Sequence, residues 1–303
     1  MDATHARTAG VAFLVLLLAC VVLVAHLHWN DGQTVCFSLT NKTEYDLTGP
    51  YIPGDGGGYA GCRAGTASRF LPDQGAWWYY WRLPTPTFGS RFFVWACYVV
   101  HQFAAWAVQW RAQEKMIGLP DEEKYSSSLR PFNYHMLAVH AFFHILHLIQ
   151  THTTYDGLHG DVSFQASQVS VIALLGVVFA LEAPKRGMFF GVPSHKGLTK
   201  AGVYVVRKYH GYTIQYAAIF TFWCHPMESL WGFLMGFSHT GLLMLQSGLM
   251  YTTAHKNYYW RFVLESWVFA HASVIACQTL PGWQMFFFGF LLLLCAMQLP
   301  GER

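Results

Sequence analysis

Charged side chains are scarce: Asp, Glu, Lys and Arg make up 12% of the 303 residues, about half of the roughly 25% found in an average soluble domain. The formal net charge of +3 is too small to point to a nucleic-acid partner. CxxC is also missing among the seven cysteines. Internal repeats are not visible, and low complexity is confined to the glycine run at 54–58, GDGGG. No HxxHH occurs, so the histidine boxes of membrane di-iron desaturases are excluded. The C-terminal LPGER carries neither a KDEL-type nor a prenylation signal.

Apolar surface is what the chain has instead. Hydrophobic residues make up 53% and aromatics 17%, and the mean hydropathy is +0.26. Length alone would allow two soluble domains. The apolar content instead predicts an all-α fold in which residues 1–303 form a single polytopic transmembrane domain. A span needs roughly 20 mostly apolar residues. Eight candidates lie near 10–28, 90–110, 132–151, 166–183, 208–224, 229–251, 261–279 and 283–299. Residues 11–25, VAFLVLLLACVVLVA, could also be a cleaved signal peptide, which would leave seven spans. The Leu23-x-Ala25 junction is a poor cleavage site, and we read the segment as an uncleaved signal-anchor.

The loops supply an orientation. With the N-terminus cytoplasmic, the short outer loops near 152–165, 225–228 and 280–282 contain no Lys or Arg. The cytoplasmic side collects 14 of the 19, all except Lys42, Arg63, Arg69, Arg82 and Arg91. Short loops obey this positive-inside rule, and long translocated segments largely escape it. Both termini are therefore expected in the cytoplasm, with the chain in the plasma membrane or a secretory-pathway membrane. The long outer loop, 29–89, contains the glycosylation sequon Asn41-Lys42-Thr43. Cys36 and Cys62 lie in the same loop and could pair in an oxidising compartment. Trp77 to Trp81, WWYYW, reads as an interfacial aromatic belt. Cys20, Cys97, Cys277 and Cys295 sit in apolar runs and Cys224 at the end of one, where cysteine acts as a small hydrophobe. The basic segment 184–209 reads either as an interfacial amphipathic element or as a solvated loop.

Histidine is concentrated in HMLAVHAFFHILHLIQTH, residues 135–152. At 100° per residue His140, His144 and His147 fall within about 60° of arc, on one stripe near mid-span. His135 and His152 lie at the ends, on other faces. His101, His239 and His271 reach a similar depth on three other spans. Glu228, His239 and Gln246 share a face of the sixth span, and His271 and Gln278 share one of the seventh. Intramembrane ionisable groups usually face the bundle interior and serve function, although polar contact between helices is the plainer use of a lone histidine such as His101.

Neutral imidazoles bind Zn, Cu, Fe and haem iron. His140, His144 and His147 are thus candidate metal ligands, and His101, His239 and His271 are candidate cofactor ligands, with a transition metal or haem b as the group held. Ala141 stands where HExxH has its Glu, so that zinc-protease motif is absent. Residues 140–147, HAFFHILH, locally resemble the HAxWHxx helix of alkaline ceramidases and adiponectin-receptor-like proteins, which are zinc amide hydrolases of seven spans. The resemblance covers about eight residues. In that family the motif lies on the last helix, whereas four or five spans follow it here, and the Ser and Asp partners are not identifiable.

Two outer loops add further candidates. His225 and Glu228 in HPME could form a catalytic acid/base couple or an ion entry point, or simply turn the chain and cap the next helix. Asp156, His159 and Asp161 could form a small oxygen/nitrogen site or a solvated turn. On the cytoplasmic side Glu265 lies one turn from Arg261, where pairing is expected. The expected function is a metal- or haem-binding membrane enzyme or electron carrier acting on a lipid-soluble substrate. The alternatives are a proton- or cation-coupled transporter or channel using the histidines as a relay, and a non-catalytic scaffold or receptor subunit with histidines as helix–helix contacts.

Overall fold

A computed structural model of the chain describes residues 11–19, 22, 36–37, 61–62, 87–153, 158, 161–162, 164–186, 200–224, 231–279, 288 and 291. The fold of these residues is all-α apart from one two-residue antiparallel pair. Helix α1 covers 11–19. The paired strands are β1, Cys36–Phe37, and β2, Gly61–Cys62. The long helices are α2 (Phe88–Met116), α4 (Pro131–Thr153), α5 (Phe164–Arg186), α6 (Lys200–Cys224), α7 (Trp231–Gly248) and α8 (Tyr258–Thr279). A one-turn helix α3, Asp121–Lys124, joins α2 to α4, and a 3-10 turn, Ala254–Lys256, joins α7 to α8.

Local signals explain where these helices begin. Thr87 caps α2 by accepting the Ser90 N–H at 3.1 Å on its hydroxyl, the bond an N-cap residue supplies to an orphan donor. Pro131 opens α4, where its missing N–H costs nothing. Asn133 reaches back so that its Oδ1 accepts the Arg130 N–H at 2.8 Å. Asn257 does the same service for α8 by accepting the Trp260 N–H at 3.0 Å.

Six of the expected spans coincide with long helices and the first in part with α1, and the helix at the fifth span, α6, starts at Lys200 rather than near 208. By length and composition, α2 alone among the described helices is apolar enough to cross a membrane. The histidines themselves lower the hydropathy of α4. The eighth expected span, apart from residues 288 and 291, and most of the loop 29–89 lie outside the described residues.

Packing follows neighbours and crossings: α5 packs on α6, α2 on α4, α7 on α8, α6 on α7, α2 on α6 and α4 on α7. The α4–α7 crossing is antiparallel and close. A Cβ added at Gly248 would lie 2.5 Å from the Leu137 side chain, and one at Gly241 would run into Leu17 of α1 and lie 3.2 Å from His144 Nε2. Asn133 ties off the end of this crossing, donating through Nδ2 to the Gly248 and Met250 carbonyls at 2.9 and 2.8 Å.

Candidate functional site: a closed histidine chain and a cavity beside it

All three stripe histidines are buried: His140 and His147 are 0% exposed and His144 is 1%. The stripe expected from their spacing is present, yet the rings do not meet at one point. His140 and His147 are seven residues apart, a rise of about 10 Å along the helix. Each ring bonds a different neighbour. Among the described residues, no group of three His, Cys, Asp or Glu side chains is placed to hold a metal ion.

The partners form a chain across four helices. Trp223 on α6 donates its indole N–H to His101 Nδ1 on α2 at 3.1 Å. An indole N–H can only donate, so His101 Nδ1 accepts and the proton of its neutral ring sits on Nε2. That Nε2 lies 3.0 Å from His140 Nδ1 and donates to it. His140 Nε2 then donates to the Ser247 hydroxyl on α7 at 2.8 Å, and Ser247 donates to the Met244 carbonyl at 2.8 Å. One donor-only group therefore sets both tautomers, and a carbonyl ends the run. His101 is further held flat against Phe143, ring centroids 4.4 Å apart.

The other stripe members turn elsewhere. His144 Nδ1 donates to the His140 carbonyl at 2.7 Å, while its Nε2 finds no hydrogen-bond partner among the rings of Phe13, Phe222 and Phe237. His147 Nδ1 lies 3.0 Å from Gln150 Oε1, against Trp223. His239 on α7 and His271 on α8 form a separate pair, ring centroids 6.4 Å apart. His135 is exposed. His225, Glu228, Asp156 and His159 lie outside the described residues, as do the side chains of His152 and Gln278. Asp161 is taken up by Trp95, whose Nε1 donates at 3.1 Å, and by Arg91 Nε at 3.0 Å.

A cavity of about 590 Å³ adjoins the closed chain, with walls from α2, α5, α6, α7 and α8. Ser247, the last side chain of the hydrogen-bonded run, lines it. Its lining changes from apolar to charged in the same sense on α5, α6 and α8, while α7 places polar side chains at both ends. On α5 the lining runs from Leu174 and Val178 to Glu182, and on α8 from Phe269 and Val268 to Glu265 and Arg261. On α7 it runs from His239 and Leu243 to Gln246 and Ser247, and on α6 from Ile214 to Arg207. The apolar ends share one level and the charged ends another, near the connections.

Fixed contacts hold the charged end. Arg261 Nη1 donates to both Glu182 oxygens, at 3.0 and 2.9 Å, so Arg261 reaches across to α5, a partner not foreseen when Glu265 was the expected one. Lys256 Nζ lies 3.7 Å from the centre of the Tyr125 ring, a cation–π contact. His255 Nδ1 donates to the Gln246 carbonyl at 3.0 Å, and His210 Nδ1 to the Arg207 carbonyl at 2.7 Å. Burial in the cavity wall, with His210, Arg261 and Lys256 nearby, pushes His255 down to about 4, so it is neutral at physiological pH. At the opposite end His239 is buried and its Nε2 lacks a hydrogen-bond partner.

Trp223, Ser247 and Glu182 were not singled out from the sequence. Glu182 did carry a signal, as the one carboxylate in the apolar run 166–183, the kind of residue that marks a membrane interior. Trp223 and Ser247 carried none, because their importance lies in which atom of a distant helix they reach. No family model, curated protein or solved structure matches the chain.

Proposed function

We propose that the protein is a multi-pass membrane protein that holds a lipid-soluble, amphipathic small molecule in the cavity between α5, α6, α7 and α8. The observation that carries this reading is the graded lining of the cavity, charged at one level and apolar at the next on α5, α6 and α8. Its volume of about 590 Å³ lies within the range of small-molecule sites, roughly 300–1,000 Å³. The surface supports a bilayer setting. On α4 Phe142 is 60% exposed while His140 and His147 are 0%, and Phe103, Val169 and Ile172 face outward elsewhere. Polar residues inside and large apolar ones outside reverse the usual soluble arrangement, and they suit a surface bathed in lipid tails.

The hydrogen-bonded chain favours a holding role over a relay. A through-going proton path needs an entry and an exit, whereas this run begins at an indole N–H and ends at a carbonyl. In this reading the chain clamps α2, α4, α6 and α7 and so shapes the cavity wall at Ser247.

Lipid extracted from the purified protein tests the proposal. Wild type is expected to retain a stoichiometric amphiphile through detergent washing, and Val178→Trp, which fills the cavity, is expected to lose it. Equal lipid content in the two proteins would defeat the reading.

A further inference from the structure

We propose that the charged end of the cavity is a site for a phosphate-type headgroup, so that the amphiphile held there is an anionic phosphomonoester; this rests on the reading just given. Arg207, Lys208, Lys256 and Arg261 line that end against two carboxylates, Glu182 and Glu265. Four cations against two carboxylates leave two positive charges. Arg261 and Glu182 are in direct contact at 2.9 Å, so the surplus resides on the side formed by Arg207, Lys208 and Lys256. A doubly charged anion fits a surplus of two. A phosphomonoester carries about 1.5 to 2 negative charges at pH 7 and offers three strong acceptor oxygens.

The donors are supported from behind. The Lys256 ammonium is steered by the Tyr125 ring at 3.7 Å. The backbone beneath Lys208 is fixed by Gln113, whose Nε2 donates to the Lys208 carbonyl at 2.6 Å. Gln113 is held in turn by the Tyr212 hydroxyl, which donates to its Oε1 at 3.0 Å. The far end also points to a guest. His239 is nine-tenths buried, lines the cavity, and has an Nε2 with no hydrogen-bond partner. Ser247 stands eight residues further along α7, a rise of about 12 Å, so the cavity is long enough for a headgroup and the first part of a chain.

Binding in phosphatidylcholine nanodiscs tests this with three probes: dodecyl phosphate, dodecanol and inorganic phosphate. Dodecyl phosphate is expected to bind at least tenfold more tightly than dodecanol, with the preference weakening as salt rises. The double substitution Arg207→Gln, Lys256→Gln is expected to remove the preference while leaving dodecanol binding intact, which also reports that the cavity has folded. Lys256→Arg retains the charge and should retain binding. Lys115→Gln, an exposed change on α2 away from the cavity, should have no effect. Inorganic phosphate competing as well as dodecyl phosphate would mark a free-phosphate site and overturn the amphiphile assignment. Equal affinity for dodecyl phosphate and dodecanol would overturn the headgroup assignment while leaving the cavity reading intact. A preference lost equally in Lys115→Gln would make it a property of the basic membrane face, overturning the site. No binding of either amphiphile would defeat both readings.

Discussion

At the scale of single residues, the buried histidines act through the direction of their hydrogen bonds. Trp223 can only donate and the Met244 carbonyl can only accept, so every proton between them has one place. Removing a member strands its neighbours, and the loss should not be additive. His140→Ala and Ser247→Ala each remove the same bond. Reversible unfolding in bicelles is expected to show a coupling of about 0.6 kcal/mol between them, with about 1.7 as the upper end for such pairs. Strict additivity would mean that the bond contributes nothing. Spacing alone made the burial of His140, His144 and His147 legible, because positions i, i+4 and i+7 share a face. The choice of partner was not legible. Which ring nitrogen faces His101 or Ser247 depends on the crossing of α4 with α2 and α7, and nothing local to residues 135–152 encodes it. The metal-ligand reading assumed that rings on one stripe converge, but a rise of about 10 Å between His140 and His147 lets each find its own neighbour.

At the scale of elements, close approach governs the α4–α7 pair. Small residues let helices meet at short range in membranes, and Gly241 and Gly248 sit seven residues apart, opposite His144 and Leu137, themselves seven apart. Gly248→Val would drive methyl groups into Leu137, and overpacking of this kind costs about 1–3 kcal/mol. A lower midpoint of thermal unfolding is the expected result, with partial recovery in Gly248→Val, Leu137→Ala as room is restored. Helix positions were readable from apolar runs, and the structure moves the ends of most of them by only a few residues. The start of α6 was misplaced because Lys200, Arg207 and Lys208 flank the apolar AGVYVV, which left 184–209 readable as an interfacial amphipathic element or as a solvated loop. Arg207 and Lys208 turn out to carry the charged lip of the cavity. The cavity itself could not be read from the sequence, since five helices contribute a few residues each, and the approach of Lys256 to Tyr125 joins positions 131 residues apart.

At the scale of the whole molecule, the proposed bilayer orientation can be tested at the first long loop. The backbone register of β1 and β2 sets Cys36 opposite Cys62, although the side chains of the two residues lie outside the described part. Directly opposed residues in an antiparallel pair have Cα atoms about 4.5–5.5 Å apart, a separation that a disulfide spans. If 29–89 faces an oxidising compartment, non-reducing gels should show a faster-migrating form that Cys36→Ser abolishes. Glycosidase treatment should lower the mass of wild type but not of Asn41→Gln. A loop without glycan or disulfide in mammalian cells would reverse the orientation and with it the side to which the charged end of the cavity opens. The chain from Trp223 to Ser247 also has a bearing on biogenesis. Its members leave the ribosome in the order His101, His140, Trp223, Ser247, so His140 waits for more than a hundred residues of synthesis before its acceptor exists. Until Trp223 is made the polar faces of α2 and α4 have only each other, and a nascent chain halted before residue 247 still leaves His140 Nε2 without its acceptor.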